Sequence, residues 1–140
     1  LKTHEPDPHD PIDVISKVGG FDIAAMAGAY IGAAYYKLPV VIDGFISAVA
    51  ALVAARLTNL AVQYMIPSHA SYEPGYAYAM KELGLEPVLM LNMRLGEGSG
   101  CPIMFMVVDA ACAIIRDMGT FAEAAIDEKY LENIKGKESF

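Results

Sequence analysis

The sequence predicts an α/β fold: a parallel sheet covered by helices on both faces, doubly wound and Rossmann-like, in truncated form. Three observations predict it. Short β-branched or apolar runs alternate with longer segments of helical length, and parallel strands need crossovers of that length. One long segment is apolar on every face, the mark of a buried helix. Each predicted strand runs into a polar or glycine-rich turn, at Asp43-Gly44, Ser68-His69 and Gly96-Glu97. In such sheets the ligand crevice lies at the carboxyl ends of the strands.

Residues 1–13 (LKTHEPDPHDPID) are acidic, hold three prolines and read as linker. His4, Asp7, His9 and Asp10 are metal-ligand types, but no helical or CxxC spacing supports a site. Gly19-Gly20 leads into a helix over Phe21–Tyr36, with small residues at Ala24, Gly28 and Gly32 offering a close-packing face. Leu38–Asp43 is a buried strand, and Gly44 turns the chain into the all-apolar helix Phe45–Leu57. Gln63–Ser68 is a second strand. Pro74 fits the first turn of a helix through Leu83, with Gly84 just past its end. Glu86–Leu91 is a third strand, Gly96–Gly100 opens a helix over Cys101–Met118, and Phe121–Ile134 reads as helical. The domain reading is therefore linker to residue 13, one α/β unit over 14–126, and a charged helical tail over 127–140 with a frayed end.

Composition limits the partners. The 140 residues suit one domain with a real core. Hydrophobic residues make up 55% and charged ones 19%, the latter below the ~25% of ordinary soluble domains. Mean hydropathy is +0.36. Apolar surface should therefore be covered, by a homodimer or by a missing part of the protein. Length argues against the rival reading of a membrane span: Phe45 to Ala55 ends at Arg56, short of the ~18–20 residues needed, and Asp109 interrupts the run from Cys101 to Ile115. A net charge of −7 without a Lys or Arg cluster argues against nucleic acid. Cys101 and Cys112 lie in one predicted helix, about 16 Å apart at ~1.5 Å per residue, too far for a disulfide. No leader is visible, so a reducing cytoplasm is expected.

The turn LNMRLGEGSG over 91–100 carries the sharpest chemistry. Three glycines in five residues free the backbone for φ > 0 and close approach to a ligand. A turn that opens a helix also offers N–H groups and a positive dipole end to an anion. Glu97 competes with such an anion, which points to catalysis. Desolvation and nearby negative charge would raise its pKa towards that of a working base; the plainer reading is a first-turn Glu favoured by the helix dipole. Asp43 could hold a ribose hydroxyl or cap the next helix, and Ser71 could meet a phosphate or cap the helix after it. Met90 and Met93 could shape a slot for a flat ring, or pack in the core. Ser68-His69 suggests a hydrolase, but no G-x-S-x-G elbow occurs. A dinucleotide-binding dehydrogenase lacks its acidic ribose ligand ~20 residues on.

Several strings together resemble nicotinate-nucleotide–dimethylbenzimidazole phosphoribosyltransferases of cobalamin lower-ligand synthesis. They are KVGGFDIAAMAGAYIGAA at 17–34, PVVIDGFISAVAALVA at 39–54, SHASYEPG at 68–75, LNMRLGEGSG at 91–100 and TFAEA at 120–124. The resemblance runs from about Asp10 to Ala125 and implies the C-terminal part of a longer, homodimeric enzyme. It implies phosphoribosyl transfer from nicotinate mononucleotide to 5,6-dimethylbenzimidazole, with Glu97 as the base that takes the azole proton. Asp43 and Gly44 would line the nucleotide site and Ser71 would face the phosphate. Leu95, Gly96 and Gly98 would lie against substrate, the glycines letting the backbone approach. Neither metal nor cofactor is implied. The family's GEMGIGNTT-type phosphate loop and upstream basic residue do not occur here, so a fragment with little activity of its own is expected. A rival from another class is a non-catalytic anion-binding module whose apolar helices hold partners.

Overall fold

The computed structural model describes residues 2–126. The chain divides into two compact units, residues 1–106 and a second from Val107 onward. The opening stretch becomes helix earlier than expected: α1 spans Pro11–Val18, so the last three residues of the expected linker are its first turn. Asp10 is the N-cap, accepting from Ile12 N–H at 2.9 Å and Asp13 N–H at 3.2 Å. Pro11 follows at the first helical position, where its missing N–H costs nothing. Asp7 accepts from His9 N–H at 2.9 Å. The metal-like acids are thus used for turning and capping.

Helix α2 spans Phe21–Tyr35. It buries Ala27 and Tyr30 and packs Ile23, Met26, Ile31 and Ala34 on the core, while Ala24 and Gly28 of the expected small-residue face are exposed. Larger apolar side chains remove more surface from water, so their face turns inward. The helix ends with Lys37 at φ +57°, Leu38 N–H reaching Ala33 O at 2.9 Å and Lys37 N–H reaching Ala34 O at 3.1 Å, a Schellman closure.

Strand β1 spans Val40–Ile42 and α3 spans Phe45–Leu57. Ala48, Ala50, Ala51, Ala54 and Ala55 of α3 are buried; short side chains let α2 and helix α4 (Pro74–Leu83) pack closely against it. The second strand is shorter than predicted. Asn59–Tyr64 forms a 3₁₀ helix, leaving β2 as Met65–Pro67. It pairs with β1 in parallel, with Val40 opposite Met65 and Ile42 opposite Pro67. Pro74 opens α4, and Gly84 closes it at φ +66°.

The parallel α/β reading holds, but the third strand does not form. Residues 86–91 contribute one parallel bridge, His69 to Leu89, with Leu89 N–H on Ser68 O at 2.8 Å and Ala70 N–H on Leu89 O at 2.9 Å. Pro87 has no N–H for a ladder, and no strand pairs on the far side among the described residues, leaving Val88, Met90 and Leu91 exposed. Helix α5 spans Gly100–Asp117, each end within a residue of expectation. Of the expected helix 121–134, residues 121–125 are turn and Ile126 is not helical, the turn being held by Glu123 accepting from Thr120 N–H at 2.7 Å; residues 127–134, with the rest of the tail to 140, lie outside the described residues. No helix among the described residues is long and apolar enough to cross a membrane.

The core is built mainly from alanines, and its largest fully buried side chains are Ile42, His69 and Ser68. Two of these three are polar, and both sit at the end of the sheet where a site was expected.

Candidate functional site

A cleft of about 620 Å³ opens at that end of the sheet, and Asp43, Gly44, Ser71, Leu95, Gly96, Glu97 and Gly98 all line it. The fold thus brings together residues from three separate turns. The turn after β1 supplies Asp43 and Gly44, the segment after β2 supplies Ser71, and the loop before α5 supplies the rest.

The glycine turn is left-handed at three successive residues, with φ of +72° at Gly96, +56° at Glu97 and +74° at Gly98. Glycine adopts this conformation freely, whereas a residue with a Cβ is strained by about 1–2 kcal/mol. The N–H groups beyond it are not free to hold a ligand anion. Asp43 Oδ2 accepts from Gly98 N–H at 3.1 Å, and Oδ1 from Gly100 N–H at 2.8 Å. Helix α3 has Gly44 as its N-cap, with no side-chain bond. Asp43 therefore does not cap its own helix: it sits at the head of α5, more than fifty residues away in sequence.

Behind Asp43 lie Ser68 and His69, 0% and 1% exposed. Ser68 Oγ donates to Ile42 O at 2.8 Å, and a hydroxyl has one proton to give. His69 Nδ1, 3.0 Å from Ser68 Oγ, is then the donor to it. Asp43 Oδ1 is 3.8 Å from that same Nδ1, beyond hydrogen-bond reach. A Ser-His-Asp hydrolase holds serine and aspartate on opposite ring nitrogens. Here both face Nδ1 and the serine is sealed from solvent, so the pair is structural.

Glu97 is exposed, so the expected desolvation is not supplied by the described residues. Ser71 neither caps α4 nor stands free, because its hydroxyl donates to Glu73. That bond and a backbone N–H hold the Glu73 carboxyl below its ordinary range. Met93 lines the cleft, whereas Met90 is 75% exposed and belongs neither to the slot nor to the core. Cys101 also lines the cleft; burial pushes its thiol upward, away from a nucleophilic thiolate. No cluster of three or more metal-ligand side chains occurs among the described residues.

Sequence reasoning passed over Arg94 and Tyr30. Arg94 lines the same cleft as four carboxylates, Asp22, Asp43, Glu73 and Glu97, and stacks 4.1 Å from the Tyr72 ring centroid. Its place inside RLGEGSG was the available signal. Tyr30, in an alanine- and glycine-rich helix, gave none.

Burial pushes the Tyr30 and Tyr76 phenols up to about 12, and the Tyr76 hydroxyl is buried with no partner. Both phenols are neutral in either state at pH 8. Above about pH 10 the unfolded chain loses these protons first, so it binds fewer protons and stability falls. The urea midpoint should stay level to about pH 10 and drop between pH 10 and 12, with Tyr30→Phe removing part of the drop. A midpoint flat to pH 12 would contradict the buried placement.

The sequence model of the phosphoribosyltransferase family matches residues 1–126. The chain belongs to this family. Among its phosphoribosyltransferase relatives, the nicotinate-nucleotide–dimethylbenzimidazole phosphoribosyltransferase of Clostridium perfringens is 58% identical over 140 residues, covering all of this chain and 39% of that protein. The enzyme of the same name from Clostridium acetobutylicum is 56% identical over 127 residues, 91% of this chain and 36% of its own length. A crystal structure of nicotinate-nucleotide–dimethylbenzimidazole phosphoribosyltransferase from Thermus thermophilus matches with a TM-score of 0.81 at 35% identity, covering 88% of this chain and 37% of that one. The chain thus spans about two fifths of the length of the curated relatives it matches.

Proposed function

We propose that this chain forms one wall of an active site that transfers phosphoribose from nicotinate mononucleotide to 5,6-dimethylbenzimidazole, giving α-ribazole 5′-phosphate and nicotinate in the cytoplasm. Glu97 takes the azole N–H proton. The lone pair of the other ring nitrogen attacks the anomeric carbon as the bond to nicotinate breaks, its electron pair leaving with the pyridine nitrogen. Attack from the opposite face inverts β to α. The observation that carries this reading is the placement of Glu97: exposed in the cleft wall, on a left-handed turn whose Gly98 and Gly100 N–H groups are already taken by Asp43.

The same observation weakens the rival reading of a non-catalytic anion-binding module, because Asp43 occupies the cradle such a module would use. Four carboxylates against one arginine make this wall a poor phosphate holder. The phosphate is held mainly by the remaining length of the family's protein. Large exposed apolar side chains, Phe21 at 97% and Ile115 at 84% among them, are covered by that remainder or by a second copy in a homodimer.

The test is an assay of nicotinate release and α-ribazole 5′-phosphate formation by a protein of the family's full length that carries these residues. The 140-residue chain alone should show little or no turnover and should self-associate. Normal transfer by the isolated chain, or a clean monomer by light scattering at low concentration, would count against the reading.

A further inference from the structure

We propose that Asp43 is a positioning residue: it fills the N–H cradle at the head of α5 and so fixes the turn from which Glu97 works. The proposal rests on the reading of Glu97 given above, and it assigns Asp43 a task other than holding nucleotide. The Asp43 side chain is only 13% exposed, and a carboxylate so buried must have its hydrogen bonds supplied by the protein. Two are supplied, by Gly98 and Gly100. These residues bracket the turn on its helical side, and charge-assisted bonds of this kind are about twice as strong as neutral ones. Asp43 in turn is fixed by the residue it follows: it continues β1 directly from Ile42, which is 0% exposed and whose carbonyl is held by both the Ser68 N–H at 2.9 Å and the Ser68 hydroxyl at 2.8 Å.

The geometry then runs as one chain of contacts from the sheet to the base. The β1–β2 pair holds Asp43, Asp43 holds Gly98 and Gly100, and those residues hold the left-handed Glu97 between flexible glycines. Without the carboxylate, Gly96 and Gly98 give the turn wide conformational freedom. Glu97 would then be spread over many positions, and a misplacement of about 1 Å costs on the order of a hundredfold in rate. Asp43 also leaves those two N–H groups unavailable to an anionic group of the substrate.

The test is made on a protein of the family's full length. Amide hydrogen exchange in the unaltered sequence should show Gly98 and Gly100 protected by roughly tenfold or more, with the Glu97 amide unprotected. This measurement decides the anchoring even where Asp43→Asn fails to fold; free exchange at both glycines would overturn it. Asp43→Asn should lower kcat by roughly ten- to a hundredfold while the nucleotide KM moves by less than about twofold. A raised nucleotide KM with kcat kept would make Asp43 a substrate ligand and overturn the proposal. If Asp43→Asn loses kcat while Glu97→Gln keeps it, Asp43 acts on substrate itself and the proposal also falls. Full turnover by Glu97→Gln would sink the base reading separately, with the exchange result unaffected.

Discussion

Gly100→Ala is expected to destabilise the protein by about 3 kcal/mol, the upper part of the overpacking range, and, in a protein of the family's full length, to take the proposed turnover with it. A Cβ at Gly100 would overlap His69 Nδ1, stand 2.6 Å from Ser68 Oγ and 2.9 Å from Asp43 Oδ1. None of these atoms can yield cheaply. Ser68 is bonded to the Ile42 carbonyl, His69 is bonded to Ser68, and Asp43 accepts from the very residue being changed. Two opposing effects decide the sign. Alanine is favoured over glycine in a helix by up to about 1 kcal/mol, but three simultaneous contacts of this closeness exceed that gain. A control separates sterics from backbone strain: Gly98→Ala meets nothing within 4 Å but has φ +74°, so it should cost only about 1–2 kcal/mol. Denaturant midpoints for the two variants check this. Equal losses would mean that the packing of Gly100 on His69 is not what holds the head of α5.

What the sequence made legible divides along the same line between local and distant contacts. Helix α4 was readable at both ends, because Pro74 and Gly84 act within a turn of where they stand. Helix α3 was readable because its sequence is apolar on every face. Helix α1 began within the expected linker although Asp10-Pro11 is a start signal, since three nearby prolines and acidic residues dominated the reading. The third strand could not be judged locally: its apolar run is real, yet a strand needs partners, and residues 86–91 have only the His69 bridge. The site shows the same contrast. The three turns were identifiable as one edge of a sheet. That Asp43 spends both oxygens on the turn carrying Glu97 was not, because the partners are 55 and 57 residues away and an aspartate after a strand has nearer uses as cap or ligand.

That contact also resolves the conflict in the glycine turn itself. In the sequence alone, backbone N–H groups arranged for an anion compete with the adjacent Glu97. With Asp43 as the resident anion, the cradle is a fixture of the protein, and its satisfied N–H groups leave Glu97 as the one acid of the turn presented to solvent in the cleft. A carboxylate in this position has no hydrogen-bond partner of its own among the described residues, as a base awaiting a proton requires.

On the proposed reading, Glu97→Gln in a protein of the family's full length should abolish most of the transfer reaction, by about 10²- to 10⁴-fold, the usual contribution of a positioned general base. Glutamine preserves the length and shape of the side chain and can still accept a hydrogen bond, so it removes proton acceptance with little other change. The nucleotide KM should stay within about twofold, because a group acting only in the transition state leaves ground-state binding alone. Stability should also hold, since the side chain is exposed and the strain at φ +56° belongs equally to glutamine. Glu97→Gly makes the complementary case: it loses the base in the same way but relieves the left-handed strain, by about 1–2 kcal/mol at most. A catalytic loss common to both variants, with opposite or negligible effects on stability, isolates the carboxylate as the cause. Turnover kept by Glu97→Gln in a full-length protein would instead require another group to take the azole proton. Arg94, stacked on Tyr72, offers donors and no acceptor, and the Tyr30 phenol, raised to about 12, stays protonated at neutral pH and has no vacancy for it. Of the four carboxylates lining the cleft, Asp43 is engaged by Gly98 and Gly100 and Glu73 by Ser71, so among these acids Asp22 would be the next candidate to test.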